Sequence, residues 1–403
     1  MSDTHPGRWR ALTLLAIAEL LGMSLWMAGT AVGPRLQSLW SLDSSQVGWL
    51  TTAVQLGFVA GTAVSAMLNL ADIIAARWLF ACSAILGAIA NAALLQAAGF
   101  EGAVMARAAT GFFLAGVYPP AMKMAATWFQ ARRGLAVGVV VGALTIGKAS
   151  PYLVNALPDA GITGVTLATS AAAVLAAALV MFGYREGPYP FPPRPFSWSL
   201  AGTIVREQKW RLATGGYLGH MFELYSFWAW IPAFLAASAA ARAAAQGTEV
   251  ADLRIVSALS FGVIAVGGAG CVWGGLASDR LGRERLVTIA MAASGACALL
   301  IGFTFGASWW LVAPIALVWG FFVIADSAQF SVLVTESVPP HAVGTALTIQ
   351  TSIGFLLTTV TIQVIPPLVE RVGWPWAFPI LAIGPALGIW SIRRLRTWRA
   401  AGR

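Results

Sequence analysis

The chain is short of the groups that water and metals favour. Only 10% of its 403 residues are charged, and it holds just three cysteines and three histidines. Such scarcity of charge excludes an ordinary soluble domain, whose composition runs to about 25% charged residues. Cys82, Cys271 and Cys297 are odd in number and fall in apolar stretches, so no disulfide framework is implied and each reads as a small packing residue. No second His or Cys stands near His220, so no metal site is expected. No Gly-Lys-Ser/Thr loop follows a strand-like run, which argues against direct ATP coupling. No nucleophile–His pair is visible either, so neither an enzyme nor a bound cofactor is expected.

What is abundant is apolar. Hydrophobic residues make up 58% of the chain, and the mean hydropathy is +0.76. A membrane-crossing helix needs about 20 such residues, and twelve segments qualify: 10–32, 46–68, 77–98, 102–126, 134–157, 162–184, 211–237, 255–276, 285–305, 308–333, 342–366 and 374–392. The expected fold is therefore an all-α integral membrane protein. Threading these spans with both termini on one side leaves only Arg35, Arg242, Arg254 and Arg371 on the other. Arg107, Lys123 and Lys148 fall inside spans, and every other base lies on the terminal side. The positive-inside rule then places both termini in the cytoplasm of an inner (plasma) membrane. The net charge of +9 thus reports topology and anionic headgroups rather than nucleic acid. Many of the 18 tryptophans sit near span ends, as interfacial belts do. The first span runs past signal-peptide length without a small-residue cleavage site, so it is expected to stay in the mature chain.

The sequence also repeats itself. Glu19 with Trp26 matches Glu223 with Trp230 at an offset of 204, Asp72 matches Asp279 at 207, Gly111-Phe112-Phe113 matches Gly320-Phe321-Phe322 at 209, and Gly134 matches Gly344 at 210. Offsets that grow in order along the chain indicate one duplication. The halves are residues 1–184 and 211–403, joined by a Pro-rich charged linker, 185–210.

Between the eighth and ninth spans runs Gly274-Gly275-Leu276-Ala277-Ser278-Asp279-Arg280-Leu281-Gly282-Arg283-Glu284-Arg285. Glycines there permit a tight turn, and Asp and Arg can lock helix ends by charge-assisted bonds. The spacing of Gly275, Asp279, Arg280, Gly282 and Arg283 resembles the signature loop of the major facilitator superfamily; Glu284 departs from it where a base is usual. The first-half copy, Leu68 to Arg77, keeps Asp72 but lacks both glycines and the adjoining Arg, which implies a weaker latch. Arg107 followed by Gly111 and Gly116 resembles a fourth-span motif of the same family. The resemblance implies two pseudo-symmetric six-helix bundles that rock about a midplane site. It also implies gating by Asp72, Gly275, Asp279, Arg280, Gly282 and Arg283, and spans one, four, seven and ten around the cavity.

Charges inside spans cost about 3 kcal/mol each on insertion scales, so each must pair, face a wet cavity or snorkel. Glu19, Glu223, Asp326, Arg107, Lys123 and Lys148 are of this kind. Helical spacing puts His220, Glu223, Phe227 and Trp230 on one face, as it does Glu19, Met23 and Trp26, then Trp319, Asp326 and Gln329, and finally Thr145, Lys148, Tyr152 and Asn155. Substrate and coupling contacts are therefore expected from Glu19, Trp26, Arg107, Lys148, Tyr152, His220, Glu223, Trp230, Asp326 and Gln329. Arg107 and Lys148 would meet a small organic anion, Trp26, Trp230 and Tyr152 would wall it, and Glu223, with Glu19 or Asp326, would carry protons. His220 is expected to hydrogen-bond Glu223 rather than hold metal. The reading is a proton-coupled transporter acting as a monomer, with solute, protons and lipid as partners. The alternatives are an exporter of lipophilic cations, a metal carrier and a non-transporting sensor.

Overall fold

The computed structural model describes residues 5–129, 133–189, 197–248 and 253–401, and among them every regular element is a helix. The side chain of Asp72 lies outside the described residues, as do Arg132 and Arg194 of the orientation argument. Among the described residues eleven helices are long and apolar enough to cross a membrane, from Ser44–Met67 to Trp374–Ala400, and they coincide with predicted spans two to twelve. The first predicted span is the exception. It is helical over Arg8–Met23, turns through Ser24 to Met27, and resumes only as the short helix Ala28–Ala31.

Two other spans are interrupted. The fourth consists of Phe100–Leu114 and Tyr118–Ala126, the second piece opening on Pro119 and Pro120, which cannot donate backbone bonds but suit a helix start. The tenth consists of Trp309–Ala325 and Ser327–Thr335, parted at Asp326. Val117 and Asp326 are 209 residues apart, so the two breaks fall at the same register of the repeat. By contrast the seventh span is one helix, Gln208–Gln246, despite Pro232. It runs beyond the predicted end at 237 because its Ala-rich tail is a strong helix former, and it stops at Gly247, whose φ of +62° suits glycine. The linker carries a helix of its own, Trp198–Arg206, with Ile204 buried against Trp210, Leu212 and Val287.

Close backbone packing repeats between the halves. A Cβ on Gly111 would fall on the carbonyl of Val54, and one on Gly320 on the carbonyl of Val263, again 209 residues on. Two pairs of spans cross from one half to the other, the fifth with the eighth and the second with the eleventh. In the first crossing Gly142 faces Gly268, where an added Cβ would sit 2.9 Å from the Gly268 carbonyl. Polar bonds tie both crossings at one end: Asn155 Nδ2 donates to Ser257 Oγ (3.0 Å), and Gln363 Nε2 donates to Thr52 Oγ1 (3.0 Å). The opposite end carries both termini. There His5 meets Trp128 edge to face, Arg399 bonds Glu284, and a cleft of about 1170 Å³ opens between Gly134 to Val137 of the fifth span and Trp273 to Leu281 of the eighth, with Arg283 of the ninth.

Candidate functional site

The unwound turn of the first span sets the geometry of the centre. Four or so residues out of helix leave carbonyls without partners, and a buried carbonyl left unpaired costs about 1–3 kcal/mol. Arg107 removes that cost: its guanidinium donates to Leu25 O (3.1 Å), to Trp26 O and to Asn91 Oδ1 (3.0 Å). Asn91 is in turn fixed by donating to the Thr166 carbonyl and the Thr169 and Ser170 hydroxyls. Arg107 is fully buried; its two terminal nitrogens bond protein and its Nε has no partner. In this arrangement the residue expected to meet an anion braces the turn that presents Trp26.

Against Trp26 lies Lys148. Its ammonium, 1% exposed, sits 3.7 Å from the Trp26 ring centroid, 4.6 Å from that of Tyr225 and 5.0 Å from that of Trp228. Nζ also donates to Tyr225 Oη at 2.6 Å. A desolvated cation over an aromatic face gains about 2 kcal/mol, and here three rings share one cation. Phe58 and Phe355 close the group, packing on each other at 4.6 Å and on Trp26 at 5.0 and 5.7 Å. The plug thus draws on both halves of the chain.

Glu19 is completely buried, and neither of its carboxylate oxygens has a hydrogen-bond partner. Lys148 is the opposite charge that acts on it, although no direct ion pair joins them among the described residues. Glu223 is its duplicate in sequence and its opposite in environment. Trp319 Nε1 donates to Oε1 and Ser294 Oγ to Oε2, both at 2.8 Å. These donors displace His220, which was expected to bond Glu223. His220 Nδ1 instead lies 2.9 Å from Asp326 Oδ1, both groups buried, at the break of the tenth span. That same break resets the helical phase, so Gln329 does not share the face of Trp319 and Asp326; it lines the cleft at the terminal end.

Tyr152 and Trp230 meet in a second cavity, at the end away from the termini, with a volume of about 330 Å³. Trp230 is held there by donating its indole N–H to Ile362 O at 2.9 Å. Of the fifth-span face predicted from spacing, Tyr152 and Asn155 line this cavity, and Lys148 lies one helical turn before Tyr152.

The glycine-rich loop is assembled differently from expectation. Asp279, Arg280 and Arg283 line the terminal cleft, and Gly282 takes φ +81° to turn the chain. Gly275 sits where an added Cβ would stand 3.6 Å from the Gly134 carbonyl of the other half. Yet Arg283 does not latch Asp279: it reaches Glu336 at 2.5 Å, while Arg399 bonds Glu284 at 2.7 Å and Glu336 at 3.2 Å. Glu284, the departure from the family pattern, is thus paired with the last helix.

Sequence reasoning missed Tyr225, Trp228, Phe58, Phe355, Asn91, Glu336 and Arg399. Tyr225 and Trp228 were findable: they lie about 200° and 140° around the helix from Glu223 at 100° per residue, on the face opposite the one that was chosen.

Comparison with known proteins agrees with this picture. A sequence model described as Major Facilitator Superfamily matches residues 14–362. A galacturonate transporter of Dickeya chrysanthemi is 29% identical over 149 residues, which cover 36% of this chain and 43% of that one. The solved structure of a bacterial homolog of the human lysosomal transporter Spinster, inward-facing and unoccupied, superposes with a TM-score of 0.69 at 15% identity, covering 97% of this chain and 94% of the other. No group of three or more metal-ligating side chains occurs among the described residues. The chain spans less than half the length of the curated relative it matches; it belongs to the Major Facilitator Superfamily and is a multi-pass membrane protein.

Proposed function

We propose that this protein is a secondary transporter that moves a small organic anion together with protons, and that Lys148 is its anion-binding cation. The observation that carries the reading is the pairing of a caged, buried ammonium with a buried carboxyl that has no hydrogen-bond partner. Burying a charge without compensation is costly. Lys148 can be balanced by ionised Glu19 or by a substrate carboxylate, but both anions together overcompensate it. Binding of substrate therefore favours a proton on Glu19, and release of that proton favours release of substrate. That exchange couples the two fluxes. Glu223, satisfied by Ser294 and Trp319, is assigned a structural part in this scheme, in place of the coupling part its spacing suggested. The relative named as a galacturonate transporter, whose substrate is an organic anion, supports the sign of the ligand.

The wider assignment follows the same lines. Residues 1–184 and 211–403 act as two six-span bundles joined by the linker 185–210, rocking about the Lys148 plug. Both termini face the cytoplasm, and the far cavity faces outward across the inner membrane. In the outward-closed arrangement the Asn155–Ser257 and Thr52–Gln363 bonds hold the bundles together at that end. The cation-exporter alternative is disfavoured by the cage itself, which already holds an ammonium.

The test is a thermal-shift screen of purified protein against small carboxylates, inorganic anions and lipophilic cations, in wild type and Lys148→Ala. A ligand that binds the native state raises its melting temperature. Stabilisation by a carboxylate that is reduced in Lys148→Ala is the expected result. Stabilisation by a lipophilic cation that persists in Lys148→Ala would overturn the reading.

A further inference from the structure

The far cavity holds more unsatisfied polarity than packing explains. Arg35 Nη1, Tyr152 Oη and Asn155 Oδ1 are all shielded from solvent, and none has a hydrogen-bond partner. All three residues line the same space of about 330 Å³. Tyr152 itself is only 2% exposed. Native structures pair nearly all such groups, and three that converge on one cavity mark a place for a ligand.

Their chemistry constrains that ligand closely. Arg35 offers a cationic N–H donor, which calls for an anion. Tyr152 Oη is a donor that is free for an acceptor. Asn155 Oδ1 is an acceptor: its own amide N–H groups are spent on Ala31 O (3.1 Å) and Ser257 Oγ (3.0 Å), so it needs a donor from the ligand. A plain carboxylate has no donor at neutral pH, whereas a hydroxyl supplies donor and acceptor together. Trp230 and Trp374, with centroids 6.4 Å apart and planes tilted by 50°, add ring faces suited to the C–H side of a hydroxylated carbon chain. One cation, one free donor, one free acceptor and two indoles in a space at the small end of ligand pockets fit one class of molecule.

We propose that this cavity is a second binding site, for a polyhydroxylated monocarboxylate of monosaccharide size, which holds the substrate one helical turn before it reaches Lys148. The link is built into the fifth helix, where Tyr152 lies four residues after Lys148, a rise of about 6 Å; Thr30, also in the lining, follows Trp26 across the unwound turn. The proposal rests on the anion-carrier reading and deepens it, since it names the substrate class and a route in two steps.

Equilibrium binding of D-gluconate to the purified full-length protein in lipid nanodiscs tests it, with hexanoate and sorbitol as probes that lack the hydroxyls or the charge. Wild type should bind D-gluconate at least tenfold more tightly than either. Arg35→Gln should weaken gluconate at least tenfold, with partial recovery in Arg35→Lys, and Tyr152→Phe, which removes one unpartnered hydroxyl, should weaken it several-fold at an unchanged melting temperature. Lys148→Ala should keep gluconate binding at this cavity and lose its uptake into proteoliposomes. Equal binding of hexanoate and gluconate would overturn the assignment of substrate class. Gluconate binding that is indifferent to Arg35→Gln and Tyr152→Phe but lost in Lys148→Ala would overturn the second site and leave the anion carrier standing. Absence of gluconate binding, with stabilisation by a lipophilic cation, would sink both. Should Arg35→Gln fail to fold, Tyr152→Phe alone decides between these outcomes.

Discussion

The two halves of this protein share a scaffold and differ in what they do with it. Gly111 and Gly320 press against Val54 and Val263 in the same way, and the fourth and tenth spans break at the same register. Where the first half has Arg107, however, the second has Ala316, 209 residues on. The first span is unwound with its carbonyls bonded to Arg107, and the seventh, facing no such cation, is an unbroken helix. Where the first half has Lys148, the second has Thr358, 210 residues on, whose hydroxyl donates to its own helix at Phe355 O. Close-packing glycines stand at both positions because backbone approach tolerates no substitute. The buried bases Arg107 and Lys148 stand in the first half alone.

The largest effect expected from this comparison is at Arg107. Arg107→Ala leaves Trp26 O and Asn91 Oδ1 unpaired and Leu25 O with only the 3.4 Å bond from Ala28 N, at about 1–3 kcal/mol for each unpaired group, a large fraction of the stability of a typical fold. Loss of monodisperse protein on size exclusion is expected; an unchanged melting temperature would break the argument that Arg107 sustains the turn. Next comes the exchange of Lys148 for its duplicate. Lys148→Thr should reduce carboxylate-dependent stabilisation and lower anion uptake at least tenfold, whereas Thr358→Ala, which removes one local hydrogen bond, should change stability by about 1 kcal/mol and leave uptake near wild type. Equal losses from both would show that the halves share the work. Smallest is the cluster at the terminal end: Arg399→Ala breaks contacts with Glu284 and Glu336 that are partly solvated, worth about 1 kcal/mol or less, so a melting-temperature shift of a few degrees at most is expected.

Much of the scaffold was legible because it depends on composition and period. Long apolar runs gave the spans, and matched glycines and acids gave the repeat. The broken first span was not legible, since no proline or glycine pair marks Ser24 to Met27; its cause is a guanidinium from residue 107. Glu19 and Lys148 stood out because a charge in an apolar helix is conspicuous, and Trp26 and Tyr152 because they share a helical face with them. Tyr225 and Trp228 were passed over because Glu223 drew attention to the opposite face of the seventh helix. That face turns inward to Ser294 and Trp319, and only tertiary packing says so. The Arg399 contacts join residues more than 60 positions apart, beyond any local pattern.

The most direct test sets the two duplicated acids side by side. Glu19→Gln and Glu223→Gln, reconstituted into proteoliposomes, would be compared for uptake of a carboxylate driven by an imposed pH gradient and for counterflow exchange without one. The account predicts that Glu19→Gln loses gradient-driven accumulation but keeps counterflow, while Glu223→Gln keeps both and loses about 1–3 kcal/mol of stability from its disturbed bonds to Ser294 and Trp319. Gradient-driven accumulation that survives in Glu19→Gln and fails in Glu223→Gln would contradict it.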